Sequence, residues 1–98
     1  MTYTIERDGE TLAVRVWGRL DINTTPVLDE ALKKELYDVT DLTIDLAGVD
    51  YVSSMGLRLL LALQKRMFKQ GSMQVVNVNE PVMQLFEDTG FAQILTVQ

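Results

Sequence analysis

The chain reads as an α/β domain on a mostly parallel sheet, and three features of the sequence say so. It opens on two alternating apolar runs, "TYTIER" and "TLAVRVWG". Two leucine-bearing segments at helical spacing follow, around residues 28–39 and 57–68. Short apolar strands, "DLTIDLAG" and "SMQVVNVN", stand after each of them. The order is β-β-α-β-α-β-α-β, and strand and helix alternate from the second strand on. That alternation calls for right-handed crossovers and parallel neighbours. A mixed, mostly parallel sheet of four or five strands with about three helices is expected, its first strand antiparallel at an edge.

Each element has its own signal. Asp8-Gly9 between the first two runs predicts a two-residue hairpin turn. Leu12, Val14 and Val16 then share one face, and Ala13, Arg15 and Trp17 the other, with Trp17 expected in the core or on an edge face. In "RLDINTTP", Asn23, Thr24 and Thr25 are competent N-caps and Pro26 suits a first turn. Leu28, Ala31, Leu32, Leu36 and Val39 recur at helical spacing, opposite Asp29, Glu30, Lys33 and Lys34. In the second helix Leu57, Leu60, Leu61, Leu63, Met67 and Phe68 predict the buried arc, and Gly71 the end. Arg58, Lys65, Arg66 and Lys69 form the opposite stripe, a solvated face or a second contact surface. "SMQVVNVN" is nearly continuous in apolar residues, which predicts a strand covered on both faces. Pro81 opens a third helix that stops at Gly90, and "AQILTV" is a last short strand or extended tail.

Composition narrows the function. A chain of 98 residues suits one domain spanning 1–98. The net charge of −5 disfavours nucleic acid and anionic membranes as partners and favours a basic protein face. Cysteine and histidine are both absent, which excludes disulfides, thiolate zinc sites and histidine-based nucleophile systems. There is no EF-hand spacing and no P-loop. The apolar run 59–63 is too short to span a bilayer, and "MTYTIERDGE" lacks the pattern of a signal peptide. The expectation is a cytoplasmic, non-enzymatic protein without metal or cofactor, monomeric when free.

The loops leaving the C-terminal ends of parallel strands gather on one rim. Here they are "GRLDINTT", "AGVDYVSSMG" and "NVNEPV". Ser53 is placed to cap the second helix, which leaves Ser54 in its first turn near solvent. A phosphate on Ser54 would meet the unpaired amides and positive dipole end of that helix. Gly56 is expected to keep the turn bare for close approach by another protein. Arg58 follows Ser54 by one turn, and Met55 is the apolar side chain there that core packing does not claim.

"GRLDINTTPVLDEAL", "LTIDLAGVDYVSSMGLRLLLALQKRM" and "VVNVNEPVMQLFEDTGFAQIL" together resemble the STAS domain of bacterial anti-sigma factor antagonists. The most telling signature is "SSMGL" opening a helix after a "DL"-type strand; the "GRLD" after the second strand supports it. The resemblance implies a partner-switching regulator. Unphosphorylated, such a protein binds an anti-sigma factor that is also a serine kinase of the GHKL type, and so releases the sigma factor. The kinase phosphorylates it, and a PP2C-type phosphatase resets it. The family's phosphorylated serine lies two residues before the motif glycine, which corresponds to Ser54; Ser53 stands where an Asp is frequent. Asp21 resembles the family's rim acid. The implied contact set is Asp21, Asn23, Ser53, Ser54, Met55, Gly56, Arg58, Asn79 and Glu80. The alternatives are a non-switching STAS subunit of a stressosome-like or lipid-transport ABC complex, and a small enzyme or nucleotide-binding protein.

Overall fold

In the computed structural model, which describes residues 1–98 throughout, strands β1 (Thr2–Asp8) and β2 (Thr11–Leu20) form an antiparallel hairpin. Its loop is Gly9-Glu10, one residue later than expected. Gly9 supplies the positive φ of 62° that the tight reversal needs. Strands β3 (Asp41–Val52) and β4 (Ser72–Val76) add in parallel, giving the order β1-β2-β3-β4. Helices α1 (Thr25–Glu35) and α2 (Ser54–Gln70) are the crossovers, and α3 (Glu80–Thr89) follows β4.

Strands lying side by side in chain order, joined by crossovers of one hand, leave their helices on one face of the sheet. The other face is open. Burial therefore alternates along the strands: Leu12, Val14 and Val16 are buried, whereas Arg15 and Trp17 are exposed. β4 obeys the same rule, with Met73 and Val75 buried and Gln74 and Val76 half-buried. The expectation of a strand covered on both faces was wrong, because apolar Val76 sits on the open side.

β3 is longer than its alternating segment suggested. Its twelve residues lie beside the ten of β2, with register shifts between Arg15 and Trp17 and between Gly18 and Arg19. Each shift places an extra residue on β3 and resets which side chains face the core. The buried series thus runs Leu42, Ile44, Leu46 and then Val49 and Val52. The indole of Trp17 fills the space a Cβ would need at Gly48, directly beside it in the register.

α1 ends at Glu35, earlier than its periodicity implied. Leu36 and Val39 are buried from the turn beyond it, where Asp38 takes a φ of 64°. Arg7 holds that turn, its guanidinium donating to the carbonyls of Gly9, Glu35 and Tyr37.

The buried arc of α2 is Leu57, Leu59, Leu60, Leu63, Gln64 and Met67. Phe68, expected inside, is 75% exposed, and Leu61 is only half-buried. Gln64 takes a core position because its side-chain oxygen accepts from the Thr96 amide. Fully burying side chains of leucine size is worth about 1.5–3 kcal/mol each. This exceeds the roughly 1 kcal/mol that a helical glycine costs.

Of the two readings of the last segment, a short strand or an extended tail, the strand does not form. Phe91–Gln93 is a 3₁₀ turn, and only Val97 reaches β4, bridging to Val75. The Val75 amide donates to the Thr96 carbonyl and the Gln98 amide to the Val75 carbonyl, both at 2.8 Å. The tail thereby covers the outer edge of β4.

Candidate functional site

The C-terminal ends of β2, β3 and β4 converge on one rim, and α2 starts at its centre. Ser53 has an extended backbone, and its hydroxyl accepts from the Gly56 amide at 3.3 Å. It is the N-cap, as expected, and is half-buried. Ser54 is the first helical residue and is exposed, and its hydroxyl has no partner within the chain. A free nucleophilic oxygen thus stands at a helix N-terminus, where the first amides and the dipole favour an anion.

Gly56 departs from expectation. It is buried, and a Cβ there would lie 2.8 Å from Val52 Cγ1 and 3.0 Å from the Leu20 carbonyl oxygen. The glycine is needed for close approach of α2 to the end of β2 in this same chain, not to admit a foreign backbone. The junction is fastened by the Ser53 amide, which donates to the Leu20 carbonyl at 2.7 Å.

Asp21 builds the next loop. Its Oδ1 accepts from the amides of Asn23 at 2.9 Å and Thr24 at 3.0 Å, while Thr24 Oγ1 accepts from the Asp21 amide at 2.9 Å. None of the three candidate caps accepts a side-chain cap bond for α1; the first helical amide, Thr25, donates to the Asp21 carbonyl at 3.0 Å. Its Oδ2 lies 3.8 Å from Arg19 Nε. The Thr24 and Asn23 amides hold the Asp21 carboxyl below its usual range, with the Thr24 hydroxyl and Arg19 adding to them and partial burial opposing. Arg19 also lies 4.0 Å over the ring of Tyr51, so one guanidinium joins the β2–α1 loop to the end of β3.

On the third loop, the Asn79 side-chain amide donates to the carbonyls of Ala47 at 2.8 Å and Val49 at 2.9 Å. Its nitrogen is therefore used to pin the start of α3 to β3. Glu80 begins α3 and is exposed. Between α2 and α3 a groove of about 460 Å³ opens, lined by Tyr51, Ser53, Ser54, Leu57, Pro81 and Leu85 among others. Met55 and Arg58 face a different groove, between α2 and α1. The rim thus gathers the predicted residues but divides them. Ser54 opens toward α3, and Met55 and Arg58 toward α1. Tyr51 and the Pro81–Leu85 wall were missed; the signal for Tyr51 was an aromatic residue two positions before Ser53 on the same loop.

The family model described as "Mlab, STAS domain" matches residues 3–96. The chain belongs to the STAS domain family. An anti-sigma-B factor antagonist of Bacillus subtilis strain 168 is 31% identical over 94 residues, covering 95% of this chain and 86% of that protein. The crystal structure of an anti-sigma factor antagonist from Mycobacterium paratuberculosis is 27% identical, with a TM-score of 0.87 over 98% of this chain and 83% of that one. The Bacillus cell fate determinant SpoIIAA, in its phosphorylated form, shares the fold at 17% identity. Its TM-score is 0.77 over 99% of this chain and 91% of that one. This STAS domain is therefore similar to anti-sigma factor antagonists along almost its whole length. No helix in it is long and apolar enough to cross a membrane.

Proposed function

We propose that this STAS domain is a phosphorylation-switched anti-sigma factor antagonist acting in the cytoplasm. In its unphosphorylated form it binds an anti-sigma factor that is also a GHKL-type serine kinase, and so frees a sigma factor. Phosphorylation of Ser54 blocks that binding, and a PP2C-type phosphatase reverses it. The observation that carries the reading is the division of labour between the two serines. Ser53 is spent on the helix cap, while Ser54 is exposed at the edge of an apolar groove with its hydroxyl free.

The chemistry of the switch follows. An unmodified Ser54 presents an uncharged hydroxyl beside Tyr51, Pro81 and Leu85, in a groove whose one charged lining residue is Asp50, and a partner can cover it. A phosphate there adds about −1.5 to −2 charges, which the helix N-terminus tolerates but an apolar interface does not. The switch needs no refolding. Asn23 and Glu80 are exposed on the rim and Met55 lines the neighbouring groove toward α1, whereas Asp21, Asn79 and Gly56 shape the rim from within.

The protein purified from its host, run on a phosphate-affinity gel, tests this. A retarded band that phosphatase removes, that Ser54→Ala abolishes and that Ser53→Ala retains is the expected result. A single unretarded band under every growth condition would instead identify a non-switching STAS subunit.

A further inference from the structure

The two edges of the sheet differ. On the outer side of β4 the C-terminal tail takes up Val75, through Val97 and the neighbouring backbone. The outer side of β1 has no strand beside it, although all seven of its residues pair in regular register with β2 behind. Open edges are ordinarily blunted by a proline, a bulge, a lysine or a projecting charge. β1 has no proline, bulge or lysine. Its one cation, Arg7, is folded back onto the carbonyls of Gly9, Glu35 and Tyr37.

The hairpin fixes which backbone groups of β1 face outward. Asp8 and Thr11 close a two-residue loop, so they form a hydrogen-bonded pair, and Glu6, Thr4 and Thr2 repeat it at every second residue. The amides and carbonyls of Tyr3, Ile5 and Arg7 therefore point away from β2, and no backbone bond outside the ladder reaches them. The side chains of Tyr3 and Ile5 stay on the core side, half-buried. Thr4 and Glu6 are exposed on the open face. Beside the edge a groove of about 550 Å³ runs along α1, lined by Tyr3, Pro26, Val27, Glu30, Ala31 and Lys34.

We propose that two copies of this chain pair edge to edge through β1, antiparallel about a two-fold axis at Ile5, joining two four-stranded sheets into one. This pair replaces the monomer expected from the sequence. Charge and hydrogen-bond phase select the register. With Ile5 opposite Ile5, Tyr3 of each copy meets Arg7 of the other, all three outward residues are paired, and about six backbone hydrogen bonds form. Thr4 then faces Glu6 of the second copy in a close pair on the open face, where its hydroxyl can donate to the carboxylate. Slid by two residues one way, Glu6 faces Glu6, which sets like charge on like. Slid the other way, Arg7 passes the end of the opposing strand and its backbone groups stay unpaired. The same axis turns the α1 grooves of the two copies toward one another, with Val27, 52% exposed, on each side. Ser54 opens toward α3, on the far side of α2, so both copies keep it free, and the pairing does not depend on whether Ser54 accepts phosphate.

Sedimentation of the unphosphorylated full chain tests this, in about 0.15 M salt, where the charge of −5 on each copy is screened beyond about 8 Å. An interface of this modest size belongs to the transient class, so the apparent mass should climb from that of one chain toward twice that between about 10 μM and about 1 mM. Over the same range amide exchange should slow at Tyr3, Ile5 and Arg7 and stay unchanged at Thr4 and Glu6, which the hairpin already protects. Thr4→Glu sets carboxylates against Glu6 at two symmetric positions and should weaken the pair about three- to tenfold. Thr4→Lys should tighten it by a similar factor, and Glu6→Lys added to Thr4→Glu should restore it. Within one chain Thr4 faces Arg15, so the two single changes should move the melting temperature in the opposite sense, which separates pairing from hairpin strength. A single monomeric species at about 1 mM, exchange that slows elsewhere but not at Ile5, or Thr4→Glu and Thr4→Lys acting alike on the pair would overturn the proposal.

Discussion

The Ser53 amide donates to the Leu20 carbonyl at 2.7 Å, and a Cβ on Gly56 would stand 3.0 Å from that same oxygen. One carbonyl at the end of β2 thus fixes both the cap and the first turn of α2. The position of Ser54 is set by what its two neighbours do beneath it.

Gly56→Ala tests that junction. Alanine should favour the helix by about 1 kcal/mol, but its methyl would crowd Val52 and Leu20, and overpacking of this kind costs about 1–3 kcal/mol. A net loss of stability is expected in urea melts. A neutral or stabilised variant would mean that α2 can lift away from β2 at little cost.

Ser53 and Ser54 should behave differently when truncated. Ser53→Ala removes the cap on the Gly56 amide and should cost about 1 kcal/mol. Ser54→Ala, at an exposed position without internal hydrogen bonds, should stay within about 0.5 kcal/mol of the parent. Equal or reversed losses in parallel denaturant melts would count against the assignment of roles.

Ser54→Asp separates an interface switch from a conformational one. The added charge faces the helix dipole and should stabilise the fold by about 0.3–1 kcal/mol at low salt. Binding to the anti-sigma factor should nevertheless weaken, since a carboxylate must be desolvated against the partner. Calorimetric titration of Ser54→Ala and Ser54→Asp, with melting curves of both, measures the two effects. Equal affinities, or a destabilised Asp variant, would contradict the mechanism.

Asp21 predicts a pH dependence. Its folded-state carboxyl titrates below its ordinary value of 3.8, chiefly because the Thr24 and Asn23 amides donate to the carboxylate. A depressed carboxyl contributes stability that is complete above the ordinary value and is lost as pH falls through the folded one. Asp21→Asn should therefore flatten the stability profile below about pH 4 and change its slope little above pH 5. Urea melts at several acidic pH values, compared with the parent, read this directly. A parallel acid slope in both proteins would refute the role.

Much of the fold was legible because it rests on local rules. The hairpin, the three helices and the parallel order follow from Gly9, from leucines at helical spacing and from the alternation of strand and helix. The capping serine was legible for the same reason: extended backbone ahead of a leucine-rich run admits few other uses for Ser53. The resemblance through "SSMGL" and "GRLD" lies along the whole chain, so family membership was legible as well.

What the sequence could not determine are relations between segments distant along the chain. Gly56 looked like an opening for a partner until Leu20 and Val52 were seen against it. Asp21 could be read as a contact residue or as a turn-former, and the bonds of two loop amides to its Oδ1 were needed to show the second role. Phe68 fits the apolar arc of α2 on a wheel, but the buried side of that wheel is set by the sheet and the tail. Gln64 holds the inward place because the Thr96 amide meets it there. Periodicity reports which residues a single element aligns. Whether an aligned residue is buried, bonded or free depends on what the tertiary fold brings opposite it, because burial and hydrogen bonding are properties of pairs.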